Sequence, residues 1–219
     1  LSQITKTILC YGDSNTWGNK PRSDERYPRG VRWPSALQSL LGEEYEVISE
    51  GLCGRTLVAV DPTKPHRTGI THLRAILESA DPIDLVIVML GRNDVKSTYN
   101  LGAEDIAGHL EQTICFIQSG PSDLERIPKI LVVCPPQVVQ PAKSAISAAG
   151  ADLDARMVRG IDIFKKLPVL YEAVAKKTGC GFINAEDHIT SSQIDGYHLD
   201  AESHLKLAEV IKEWISTYI

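Results

Sequence analysis

Thr7-Ile8-Leu9-Cys10-Tyr11-Gly12-Asp13-Ser14-Asn15-Thr16-Trp17-Gly18 is the stretch around which the chain organises itself. Thr7–Cys10 is apolar and reads as a buried strand. The glycine and short polar residues after Tyr11 end it in a tight turn. A serine hydroxyl therefore stands at the carboxyl end of a strand. In open α/β sheets, ligands bind outside that edge.

Working outward, further apolar runs predict strands at Glu46–Ser49, Asp84–Leu90, Ile130–Cys134 and Gly181–Asn184. Leu85–Leu90 is continuously apolar, as befits a central parallel strand covered on both faces. Helical spacing fills the gaps, at Trp33–Leu41, Ile70–Ser79, Ala103–Gln118, Met157–Lys177 and Ala201–Thr217. Strands alternating with helices imply βαβ crossovers and a doubly wound sheet. Asn19–Arg32 and Pro135–Gly150 fall outside the pattern and are expected as loops at the carboxyl edge, near Ser14.

The 219 residues suffice for one core, and one domain over 1–219 is the simplest organisation. A net charge of -5 without a long basic run argues against nucleic acid or an anionic membrane surface as partner. No apolar stretch approaches the length of a membrane span, and the first residues lack the apolar segment of a signal peptide. Five cysteines, an odd count with no C-x-x-C pair, suit neither a zinc site nor a disulfide framework. A reducing cytoplasm is the expected compartment.

Four polar blocks gather around this frame: Gly12-Asp13-Ser14, Glu50–Thr56, Gly91-Arg92-Asn93-Asp94-Val95-Lys96 and Asp195-Gly196-Tyr197-His198. The topology would bring all four to one sheet edge. Ester hydrolysis there needs a nucleophile, a base, a carboxylate to fix the imidazole tautomer, and donors for an oxyanion. Ser14, His198 and Asp195 fit the first three roles. The backbone N–H groups of Ser14 and Gly54 and the Asn93 amide fit the fourth.

Each part has a plainer rival. Ser14 suits a turn or a helix N-cap, and Asp13 suits hydrogen bonding to loop amides. Gly51 and Gly54 suit ordinary turns, and Asn93 and Asp94 suit caps or an Asx-turn. Asp195 and His198 suit a surface pair capping the last helix, and Asp187 and Asp200 compete with Asp195 as the acid. Singly, the structural rival is the better reading. The joint order and placement of the four blocks favour the chemical one.

On these residues the chain resembles the SGNH hydrolases, the GDSL lipase/esterase family. Ser14, Gly54, Asn93 and His198 stand for the four letters, with Asp195 as the acid of the family's D-x-x-H block. Gly12–Gly18, Glu50–Thr56 and Gly91–Lys96 look most like the bacterial arylesterase and acyltransferase branch. The resemblance implies a three-layer α/β/α, flavodoxin-like fold with a five-stranded parallel sheet. It implies a serine esterase for small acyl esters, with no metal or other cofactor, able to pass the acyl group to alcohols or peroxide. It also implies a small-molecule ester as partner and assembly into a homo-oligomer.

Two residues depart from the family pattern: Asn15 replaces a common leucine, and Arg92 stands where threonine is usual. Arg92 is open to three readings: a side chain that alters the packing beside Asn93, one that reaches an anionic group on the substrate, or a solvated arginine at a helix start. Trp17 is a candidate acyl-pocket wall or a core tryptophan, and Arg55 and Lys96 are candidates for the entrance. A catalytically inactive binding protein on the same fold is the competing class. A nucleotide module lacks its glycine motifs. An H-E-x-x-H metal site and a G-x-S-x-G elbow are also missing.

Overall fold

The computed structural model describes residues 5–120, 124–141 and 159–219. Five strands form its sheet: β1 (Lys6–Gly12), β2 (Tyr45–Gly51), β3 (Leu85–Met89), β4 (Lys129–Cys134) and β5 (Gly181–Asn184). Their order is β2-β1-β3-β4-β5, and every pairing is parallel. The chain leaves β1 toward β2 and returns on the other side as β3. The carboxyl ends of β1 and β3 therefore flank the switch point where such sheets open a crevice.

Alternation along each strand separates two cores. Leu9, Tyr11, Val86, Val88, Ile130 and Val132 face one side. They meet α3 (Gly69–Ala80), α4 (Ala103–Gln118), α5 (Gly160–Phe164) and α6 (Leu167–Thr178) through residues such as Leu73, Ile106, Phe164 and Tyr171. Ile8, Cys10, Leu85, Ile87, Leu131 and Val133 face the other. There they meet α2 (Trp33–Leu41) and α7 (Ala201–Tyr218) through Trp33, Leu37, Leu207 and Ile211. The result is three layers, α/β/α. Coverage on both faces is why β3 reads as an unbroken apolar run.

One helix differs from expectation. Met157–Lys177 was expected as a single helix, whereas its described part is α5 and α6, parted at Lys165 and Lys166. Pro168 lies in the first turn of α6. It has no N–H to offer the turn before, so a helix starts there readily and does not run through it. At the other end, Gly179 takes φ of +71° and stops α6 as the glycine there suggests. A single turn that the sequence pattern does not reveal, α1 (Ser14–Trp17), follows β1 directly.

Of the two irregular segments, the 19–32 loop folds back on itself through a bridge between Asn19 and Arg26. The other reaches from Pro135 into residues 142–150, which lie outside the described residues; Val139 N donates to Gly196 O at 2.9 Å. Among the described residues, no helix is long and apolar enough to cross a membrane.

Candidate active site

Asp13, not Ser14, caps α1. Its Oδ1 accepts from Asn15 N at 2.9 Å, and Ser14 is the first helical residue. The turn stands on the end of β2, where a Cβ at position 51 would lie 2.1 Å from the Trp17 backbone nitrogen. Only glycine permits that approach, and it holds the serine turn against the sheet edge.

The Asp195–His198 turn reaches the same place from the far end of the chain. His198 Nε2 lies 3.0 Å from Ser14 Oγ, and His198 Nδ1 lies 2.7 Å from Asp195 Oδ2. Asp195 is 4% exposed and fully engaged. Its Oδ1 accepts from Tyr197 N and His198 N, and its Oδ2 also accepts from Arg22 N at 2.8 Å. Burial pushes this carboxyl up, but the hydrogen bonds and charge of His198 and the backbone N–H donors outweigh it and hold the group at about 2. It stays ionised through the range in which imidazoles titrate.

The competing acids are used elsewhere. Asp200 Oδ1 accepts from Ser203 N and caps α7, and Asp187 binds the Asn184 amide. The capping role open to Asp195 thus belongs to Asp200.

The oxyanion candidates meet beside the serine. Gly54 adopts φ of +82°, a left-handed conformation that favours glycine. Among the described residues, the backbone N–H groups of Ser14 and Gly54 have no protein acceptor. Asn93 Nδ2 is 3.2 Å from Asp13 Oδ2 and 3.1 Å from Arg55 O, so Asp13 ties the β1 turn to the β3 loop. Burial raises the Asp13 carboxyl, opposed first by the positive charge of Arg92. Asp94 is not a cap: its carboxylate is wholly buried and accepts from Leu57 N, joining the β3 loop to the β2 loop.

These groups open into a cleft of about 500 Å3. Ser14, Gly54, Asn93 and His198 line it, together with Arg92 and Lys96. Trp17 and Arg55 do not. Trp17 lies under the Arg26 guanidinium, 4.8 Å from its ring centre, on the outer side of the turn. Arg55 is 5% exposed. It donates to Gly12 O and Glu50 O and stacks 4.2 Å from the Tyr11 ring centre, bracing β1 against β2 from beneath. Arg92 is not a solvated helix-start residue: it is 1% exposed, with Nη2 donating to Pro136 O.

Three contributions escape the sequence reading. Asn15 Nδ2 donates to Tyr197 O at 3.2 Å, and Asn15 Oδ1 accepts from Leu199 N at 3.0 Å. It grips the chain on both sides of His198. Arg22 sends its backbone N–H to Asp195 from a loop with no motif. Arg67 lines the cleft because Thr56 pairs with the Arg67–Thr68 segment.

No curated protein matches the chain. The family model described as GDSL-like lipase/acylhydrolase family matches residues 10–206. Among solved structures, a carbohydrate acetylesterase family member from Sinorhizobium meliloti is 33% identical, with a TM-score of 0.87 over 97% of this chain and 98% of that one. The native M. smegmatis aryl esterase is 32% identical, with a TM-score of 0.87 over 98% of this chain and 100% of that one. Since the matched span takes in the β1 turn, the β3 loop and the Asp195–His198 turn, the chain belongs to the GDSL-like lipase/acylhydrolase family.

Proposed function

We propose that the protein is a serine esterase for small acyl esters, working through an acyl-serine intermediate. The observation that carries this is the unbroken hydrogen-bond chain Ser14–His198–Asp195, opening into a cleft beside two unengaged backbone N–H groups. The likeness to a carbohydrate acetylesterase family member and an aryl esterase supports acetyl or aryl esters as substrates.

Ser14 Oγ attacks the ester carbonyl while His198 Nε2 takes its proton. The carbonyl oxygen becomes an oxyanion facing the N–H groups of Ser14 and Gly54 and the Asn93 amide. Each such donor is worth roughly 10²–10³ in rate. The Asn93 amide must share a proton now directed at Asp13 or Arg55 O. Collapse breaks the bond to the leaving alcohol, which receives the proton from His198. Water then repeats the sequence and frees the acid. Asp195, ionised throughout, holds the tautomer and balances the transient imidazolium. An alcohol taking the place of water would make the same enzyme an acyltransferase. Homo-oligomeric assembly and a cytoplasmic location belong to this reading as further expectations.

Labelling with a fluorophosphonate and peptide mapping, beside p-nitrophenyl acetate hydrolysis by wild type and Ser14→Ala, tests the proposal. Label on Ser14 and loss of about 10⁴-fold or more in turnover are expected. No label and equal turnover would leave the inactive binding protein as the better reading.

A further inference from the structure

We propose that the cleft selects esters carrying an anionic group, a carboxylate or a phosphate, near the reacting carbonyl, and that Arg92 and Arg67 receive it. This rests on the esterase reading and names its substrate class.

Arg92 is a cation in an unusual position. Its side chain is buried and its guanidinium carbon lies 5.0 Å from the Phe164 ring centre. One nitrogen, Nη2, donates to Pro136 O, while Nε and Nη1 have no hydrogen-bond partner among the described residues. Among the described residues, no carboxylate lies within ion-pair distance of it. Buried arginines are ordinarily paired, and a guanidinium does not escape the cost by losing its proton. Two donors left unmet in a cleft wall call for an acceptor from outside.

Arg67 repeats the feature across the cleft lining. Its Nε is buried without a partner among the described residues, and its guanidinium lies against Gly54, where an added Cβ would come within 2.7 Å of Nη1. Two of the three candidate oxyanion residues therefore have an arginine beside them: Arg92 precedes Asn93 in the chain, and Arg67 covers Gly54.

The rest of the cleft agrees. Arg22 and Lys96 add positive charge, and among the described residues Asp24 is the one carboxylate in the lining. The charges of Asp13, Asp195 and Glu186 oppose the effect of burial on Arg92. Among the described residues, the lining itself carries four cations and one carboxylate, in a chain whose net charge is -5. Among the described residues, no Val, Leu, Ile, Met or Phe side chain lines the cleft, so little of the described lining would hold a neutral acyl or aryl body. The planar fork of a guanidinium matches carboxylate and phosphate oxygens.

Three acetates of similar size test the inference: methyl 4-acetoxybenzoate (neutral), 4-acetoxybenzoate (carboxylate) and 4-acetoxyphenyl phosphate. Each kcat/KM is normalised to that ester's alkaline hydrolysis rate. At low salt an anionic ester should exceed the neutral one by about tenfold or more, a margin that narrows as salt screens the charges. The faster anionic ester identifies the preferred group. Arg92→Met and Arg67→Gln should each lower the anionic-to-neutral ratio by about tenfold. Should Arg92→Met fail to fold, Arg67→Gln alone decides, since its side chain is outside the sheet cores. A wild-type ratio near one, or a ratio unmoved by Arg67→Gln, overturns the inference while hydrolysis of the neutral ester keeps the esterase reading intact. If all three esters are inert and Ser14 takes no fluorophosphonate, both fall together.

Discussion

His198 and His204 stand six residues apart, each with an aspartate shortly before it, and the molecule uses them in opposite ways. His198 sits on a turn with Asp195 on one ring nitrogen and Ser14 on the other. His204 is wholly buried between α2 and α7. Its Nδ1 meets Trp33 N at 3.4 Å, and its Nε2 has no partner among the described residues. The aspartate before it, Asp200, is spent on capping α7. An imidazole becomes a base when a carboxylate is left over to serve it. Beside a helix start, the unmet backbone N–H groups claim that carboxylate first.

The largest expected effect breaks the contrast at its functional end. His198→Ala should lower kcat by about 10⁶-fold in steady-state ester hydrolysis, if the Ser14–His198 contact is the catalytic one. Asp195→Asn keeps the shape but offers Nδ1 an amide, and a fall of about 10⁴-fold is expected. Activity within tenfold of wild type in either variant would remove that residue from the mechanism.

A smaller effect sharpens the structural end. Burial pushes His204 down to about 4, against the weaker pull of Asp200, with His198 adding to the depression. Its ordinary value is 6.5. Below that pH the unfolded chain binds a proton that the folded one refuses. Stability from this residue is complete above about pH 6.5 and is lost as pH falls toward about 4, roughly 3 kcal/mol in all. His204→Asn retains an acceptor for Trp33 N and should flatten that segment of a denaturant-measured stability profile. The Asp195 contribution, lost only as pH falls from about 4 to about 2, lies below this window. An unchanged slope in the variant would assign the acid sensitivity to other groups.

The same competition for partners explains what the sequence could and could not disclose. The sheet was legible because β3 is apolar throughout and the glycine and polar blocks recur just past strand ends. The split at Lys165 was hidden because Pro168 is compatible with either a helix start or a kink. Three aspartates near the C-terminus looked alike until Asp200 and Asp187 were seen with other donors. Arg55 and Arg92 occupy comparable motif loops, yet one turns under the sheet edge and the other into the cleft. Nothing in their neighbours' chemistry signals which, because the direction is set by strand packing. Arg67 lies twelve positions beyond Arg55 in an irregular stretch, and the pairing of Thr56 with Thr68 returns it to Gly54.

Asn15 provides the subtlest test of how far His198 depends on its surroundings. By its neighbours it is a helix residue beside the nucleophile, and by the family resemblance it replaces a leucine. In the fold it is 1% exposed and bonded to Tyr197 O and Leu199 N, so the backbone on either side of the base is tied to the residue next to Ser14. Asn15→Leu removes both bonds while filling similar volume. Each bond is worth about 1 kcal/mol, so a drop in kcat of about tenfold is expected if their strain-free geometry holds the imidazole on the serine. KM should change little, since Asn15 does not line the cleft, and the fluorophosphonate labelling rate should fall with kcat. Asn15→Asp, which keeps the acceptor for Leu199 N and loses the donor to Tyr197 O, should fall between. If Asn15→Leu lowers thermal stability but leaves kcat and labelling alone, the two bonds hold the fold together and Asp195 with Arg22 is sufficient to aim the base.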